Sequence, residues 1–169
     1  MLDSPEAFGS NYQREYARTD EDWSRWIANG ATFLAETTTT VGLVAAVPDR
    51  DDRGVVHLMA MWVDPSARGT GAADALIAAV VAWASARDAR TVRLHVEKNN
   101  ARARRVYERH EFRATGNEIA GSRHGFTEVE MERASISSGT LGDSSRRKSV
   151  AVATAHQPRV SSPGTRRGD

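Results

Sequence analysis

The first thirty residues carry their apolar positions at a helical period. Thr19 reads as a helix cap with Asp20, Glu21 and Asp22 in the first turn; Trp23, Trp26 and Ile27 follow at i, i+3 and i+4, and Asn29-Gly30 reads as the stop. Ahead of it, Ser4 to Arg18 reads as a partly helical segment carrying Phe8, Tyr12 and Tyr16. The period then changes. Ala31 to Thr37 and Thr40 to Val47 predict strands, and the turn between Pro48 and Gly54 closes a hairpin into a third, Val55 to Val63. That third run is apolar on both faces, as a central strand is. Asp64-Pro65 ends it. From about Gly71 to Arg87 the stripe Ala73, Leu76, Val80, Trp83 and Arg87 predicts a core-facing helix. Thr91 to Lys98 alternates, with Val92, Leu94 and Val96 on one face and Arg93, His95 and Glu97 on the other. Asn100 opens a short helix with Ala103, Val106, Tyr107 and His110 on one side, and two final strands surround Phe112 and Phe126 to Met131. Hairpins followed by one β-loop-helix-β crossover imply an α/β (α+β) fold on a mixed, mostly antiparallel sheet flanked by helices.

Composition narrows the class. The chain has 169 residues, enough for one domain, with ordinary hydrophobic (40%) and charged (27%) content. No apolar run reaches the ~18 residues of a membrane span, so no membrane partner is expected and the cytoplasm is the default location. With no cysteine, thiolate catalysis, disulfides and zinc–thiolate sites are excluded, and the five histidines show no metal-ligand spacing, so no metal is expected. Residues 134–169 carry six Lys or Arg against two acids, a balance of +4 that leaves −3 on residues 1–133, since the whole chain is +1. This Ser/Arg-rich tail has no aromatic residue and predicts disorder; residues 1–133 are expected to form the folded domain. The basic Arg146-Arg147-Lys148 reads as solvated rather than as a nucleic-acid contact.

The candidate chemistry begins at Arg68-Gly69-Thr70-Gly71-Ala72-Ala73. Glycines at a helix start let a phosphate approach free backbone N–H groups, the helix dipole favours its charge, and Arg68 adds a cationic fork. A P-loop needs Gly-Lys, yet the only lysines are Lys98 and Lys148. A dinucleotide fingerprint needs a third glycine where Asp74 stands. The hexapeptide resembles instead the Arg/Gln-x-x-Gly-x-Gly/Ala loop of the GNAT superfamily of N-acetyltransferases. A second segment, Asn99-Asn100-Ala101-Arg102-Ala103 with Tyr107 and Phe112, resembles the family's Asn-x-x-Ala-x-x-x-Tyr-x-x-x-Gly-Phe helix, and Met61-Trp62-Val63-Asp64-Pro65 resembles the strand that enters its acetyl-CoA loop. The resemblance spans roughly Ser4 to Arg133.

It implies a GNAT fold with splayed central strands, and a cofactor-type co-substrate, acetyl-CoA, held by Arg68, Gly69, Thr70, Gly71, Ala72 and Ala73. Backbone N–H groups near Trp62 or Val63 would serve the thioester oxygen, Asn100 would contact the pantetheine arm, cap the helix or do both, Ala103 would also line the cofactor site, and Tyr107 would donate a proton to the leaving thiolate. By the same resemblance Glu97, then His95, are the candidate general bases, and Arg102, Arg104 and Arg105 could approach the 3′-phosphate. Two departures are expected to matter. Glu111 stands where the family has glycine, and Asp3 to Tyr12 resembles the end of the family's first helix. The first strand is therefore expected to be missing, leaving the outer edge of Ala31 to Thr37 unpaired. The partner is an amine acceptor, first a small molecule; protein N-termini or lysines are the second reading and a non-catalytic acyl-CoA binder the third. A homodimer is compatible with each.

Overall fold

The computed structural model describes residues 29–121, 125–135 and 151–154. The two helical segments expected before Asn29, with Phe8, Tyr12, Trp23 and Trp26, lie outside the described residues. Seven strands form one sheet: β1 (Ala31–Glu36), β2 (Thr40–Pro48), β3 (Val55–Val63), β4 (Thr91–Glu97), β5 (Arg113–Ala120), β6 (Thr127–Ala134) and β7 (Ala151–Thr154), in the spatial order β5-β6-β4-β3-β2-β1-β7. Among the described residues only β3 and β4 pair in parallel, and the other neighbouring pairs are antiparallel. Helix α1 (Ala72–Ser85) makes the crossover between them, and α2 (Ala101–Arg109) joins β4 to β5.

The predicted alternation decides the core. Val92, Leu94 and Val96 of β4 are buried, as are Val44 and Ala46 of β2 and Val56 and Leu58 of β3. Against them α1 lays Leu76, Ile77, Val80 and Ala84, all fully buried; each large side chain contributes roughly 1.5–3 kcal/mol by leaving water. The buried stripe is centred on Leu76 and Val80 as the sequence suggests, but Ile77 and Ala84 belong to it and Arg87 does not. Arg87 instead places its guanidinium 3.8 Å from the centre of the Trp83 ring. An alanine-rich sequence makes α1 helical at low entropic cost, and Asp88, at φ 56°, turns the chain out of it.

The outer edge of β1 departs from expectation. Rather than being unpaired, it carries β7, antiparallel, with Phe33 opposite Thr154, Leu34 opposite Ala153, Ala35 opposite Val152 and Glu36 opposite Ala151. The residues come from the tail whose composition predicts disorder. Ala-Val-Ala-Thr is short and uncharged, which is what an exposed backbone edge accepts most readily. Between β6 and the rest of the tail, Ser135 is buried and its hydroxyl donates to the carbonyl of Ala89.

Candidate active site

The loop after β3 is built from its own short-range bonds. The Asp64 carboxylate accepts from the Ser66 N–H at 2.8 Å, capping a single 3₁₀ turn, Pro65–Ala67. The bonds from the Ser66 hydroxyl and N–H pull its pKa below the usual carboxylate value. Thr70 Oγ1 donates to the Ala67 carbonyl at 2.7 Å, and Arg68 Nε donates to the Val63 carbonyl at 3.2 Å, leaving an exposed guanidinium beside the loop. Gly69 and Gly71 take φ of 81° and 95°, the left-handed region that side chains disfavour. No atom lies within 4 Å of where a Cβ would stand on either, so the space above both is open. Gly71 is the N-cap of α1 and supplies no side-chain cap, which leaves the first-turn N–H groups without intrahelical partners. The one acid in that turn, Asp74, is drawn sideways: His110 Nε2 lies 2.7 Å and Arg109 a further 3.6 Å from Oδ1. Those contacts pin the end of α2 to the start of α1.

A gap opens next to the loop. β3 and β4 register only at Val55–Thr91, Val56–Val92 and His57–Arg93, after which they part. In the unpaired stretch β3 carries a bulge, with the register shifting opposite Leu43–Ala45 and Ala60 at φ 51°. Trp62 and Val63, where the family resemblance implies that the strand splays from its neighbour, lie beyond the last β3–β4 pair and stay in register with Leu43 and Gly42 of β2, while the positive φ falls at Ala60. Sequence reading overlooked Gly42. A Cβ there would lie 2.9 Å from the Trp62 carbonyl oxygen and 3.1 Å from Leu76 Cδ1, so glycine lets β2, β3 and α1 meet at this point. An isolated glycine inside a strand pattern was the available signal.

The polar face of β4 meets the polar face of β6. Arg93 pairs with Glu132, His95 stands opposite Glu130, and Glu97 opposite Glu128. Glu130 is buried to 9% exposure, with Oε1 accepting from Thr115 Oγ1 at 2.8 Å and Asn117 Nδ2 at 2.9 Å and Oε2 lying 3.4 Å from Arg93 Nε and 3.6 Å from His95 Nε2. Burial pushes its pKa up, but those hydrogen bonds and the charges of Arg93 and His95 outweigh it and hold the carboxyl below its usual value. His95 moves the other way from the usual histidine in an ion pair. Desolvation, joined by the charges of His57 and Arg93, lowers its pKa more than Glu130 and Glu128 raise it, which favours the neutral imidazole. Sequence reading missed Glu130, although acids alternating with Val129 and Met131 are visible once β6 is laid beside β4.

On α2, Asn100 Oδ1 accepts from the Ala103 N–H at 3.0 Å, which is a helix cap; Ala103 packs against the core. Tyr107 is 8% exposed, its ring edge-on to Phe112 with centroids 5.8 Å apart. Burial pushes its phenol up to about 12. Of the four arginines on this helix, Arg109 turns to Asp74, Arg102 and Arg105 are exposed, and Arg104 is half-buried with its Nε unpartnered and a terminal nitrogen 3.4 Å from the Lys98 carbonyl.

The sequence model of the acetyltransferase (GNAT) family matches residues 2–112. The chain belongs to the GNAT acetyltransferase family. Solved structures agree. A GNAT-family protein from Desulfovibrio desulfuricans is 25% identical, with a TM-score of 0.59 over 69% of this chain and 76% of that one. An N-acetyltransferase from Staphylococcus aureus Mu50 has 18% identity and a TM-score of 0.60 over 70% and 79%. A ribosomal-protein-alanine N-acetyltransferase from Brucella melitensis has 22% identity and a TM-score of 0.59 over 71% and 81%. No curated protein matches the sequence. As a GNAT protein the chain is expected to use an acyl-CoA, and its own residues fit one: left-handed glycines under open space, uncapped N–H groups at the start of α1, and Arg68 beside them.

Proposed function

We propose that this GNAT protein transfers an acetyl group from acetyl-CoA to the primary amine of a small molecule by direct attack on the thioester. The observation that carries the reading is the junction of two features: the uncapped, glycine-led start of α1 follows directly from the strand that parts from β4. A pyrophosphate held on the Gly69–Ala73 N–H groups and Arg68 would let the pantetheine arm enter the gap. When bound, acetyl-CoA supplies an activated acyl group. The residues must supply the rest.

An alkylamine with a pKa near 10.4 is mostly protonated at pH 7, so a base must take a proton from it. Both candidates stand on the polar face of β4. What favours His95 over Glu97 is its partner: Glu130, clamped by Thr115 and Asn117, lies beside an imidazole that burial keeps neutral and ready to accept. Backbone N–H groups of β3 beyond the Ala60 bulge would donate to the thioester oxygen as it gains charge. Tyr107 would donate a hydrogen bond to the departing sulfur.

The test is release of free thiol from acetyl-CoA in the presence of amines, amino acids and peptides. With no cysteine in the chain, every thiol detected comes from CoA. Turnover with a small amine alone supports the proposal. Turnover confined to peptides would move the acceptor to protein N-termini or lysines, and binding without turnover on any acceptor would make the chain an acyl-CoA binder.

A further inference from the structure

We infer that Ala151–Thr154 is a donor strand built into the tail, which closes the β1 edge of the sheet in cis and keeps that edge from pairing with a second chain. The edge needs closing. β1, Ala-Thr-Phe-Leu-Ala-Glu, has a single charge, at its last position, and no proline, and such a strand left bare is a template for another backbone. The inner face of β1 is already committed, with Ala31, Phe33 and Ala35 buried. Val152, opposite Ala35, continues that face and packs against the same core, while β7 also lies against α1. Ala153, opposite Leu34, points the other way and is exposed. The alternation of β7 thus matches the sheet it joins.

The chain can reach. From the end of β6, level with Thr91, to the start of β7, opposite Glu36, the path crosses five strand spacings of about 4.8 Å and climbs roughly eight residues of strand rise, on the order of 36 Å in all. The link between Ser135 and Ala151 extends to about 50 Å at ~3.3 Å per residue. That maximum reach exceeds the distance, so closure in cis is sterically allowed.

Because the chain has no cysteine, one engineered disulfide reads the pairing without ambiguity. Leu34→Cys with Ala153→Cys places two thiols on directly opposed residues of one face, where Cα separations of about 4.5–5.5 Å suit a disulfide. Leu34→Cys with Val152→Cys places them on opposite faces. Mild oxidation of the full-length chain is expected to close the first pair within a monomer, seen as faster migration on a non-reducing gel, and to leave the second pair open. Val152→Asp, which drives a carboxylate against the core, is expected to lower Tm by several degrees. The inference is overturned if the first pair stays reduced, if both pairs close equally, if covalent dimers dominate, or if Val152→Asp leaves Tm unchanged.

Discussion

Tyr107 shows how a residue's surroundings alter the role its motif assigns. A phenol pushed up to about 12 is a poor acid for a thiol with a pKa near 8.5, so donation of a hydrogen bond fits better than full proton transfer. A bond to a charged acceptor is worth about 1.5–3 kcal/mol. Tyr107→Phe is therefore expected to cut kcat about 10- to 100-fold while leaving KM for acetyl-CoA within about threefold; kcat equal to the parent's would make Tyr107 a packing residue. At Gly71 the constraint is backbone rather than chemistry. Valine at φ 95° is strained by roughly 1–3 kcal/mol and fills the space above the loop, so Gly71→Val is expected to abolish acetyl-CoA binding in calorimetry. In the proposed mechanism His95 would carry the pH dependence. Its neutral form would be the base, so activity is expected to fall as pH drops through its pKa. Glu130 raises that pKa, and Glu130→Gln removes the effect. The acid limb of kcat/KM against pH should move to lower pH; a limb that stays in place, or vanishes in Glu97→Gln, would transfer the role to Glu97. The turn at the two glycines, the helix start at Asn100 and the inward face of Tyr107 were legible because they rest on local spacing. The contacts of Glu130 were not, because its partners Thr115, Asn117, Arg93 and His95 lie on other strands.

β1 to β4 and both described helices were legible to within about two residues, because the apolar run of β3, the alternation of β4 and the apolar stripe of α1 are long and unbroken. The turns were less so. Glu111, where the family motif has glycine, adopts φ 66° and still completes the helix end: Phe112 N–H bonds the Tyr107 carbonyl and Glu111 N–H bonds the Glu108 carbonyl, both at 3.1 Å. Its carboxylate reaches Arg133 at 3.1 Å, but that arginine also donates to the His110 carbonyl, and the pair is exposed on the glutamate side. A left-handed non-glycine residue costs about 1–2 kcal/mol, more than such a pair returns. Glu111→Gly is accordingly expected to raise stability by about 0.5–1 kcal/mol in urea unfolding, and a loss would show that the Arg133 contact outweighs the strain. The bulge at Ala60 left no trace in the sequence, since alanine is not a residue that announces positive φ. Nor did β7, whose four residues have too little periodicity to stand out in a polar tail.

At the scale of the whole molecule the sheet is two sheets joined by a narrow seam. β5, β6 and β4 form one part and β3, β2, β1 and β7 the other, and between them only three residue pairs are in register. α1 packs against strands on both sides of the seam, so the helix whose first turn would hold the pyrophosphate in the proposed function is also the tie across it. The mechanical consequence is that a ligand lying in the gap acts as a splint. It would stand in for the ladder that the diverging strands forgo, and the two parts would resist shear only when it is present. At a hundred times its Kd, acetyl-CoA would add about 2.7 kcal/mol to stability. In hydrogen exchange the slowed amides should concentrate along β3 from Leu58 to Val63 and along β4 from Leu94 to Glu97, with β5 and β7 unaffected. Slowing spread evenly over the sheet would mean that the halves already move as one body, and that the ligand rests on a surface rather than in a seam.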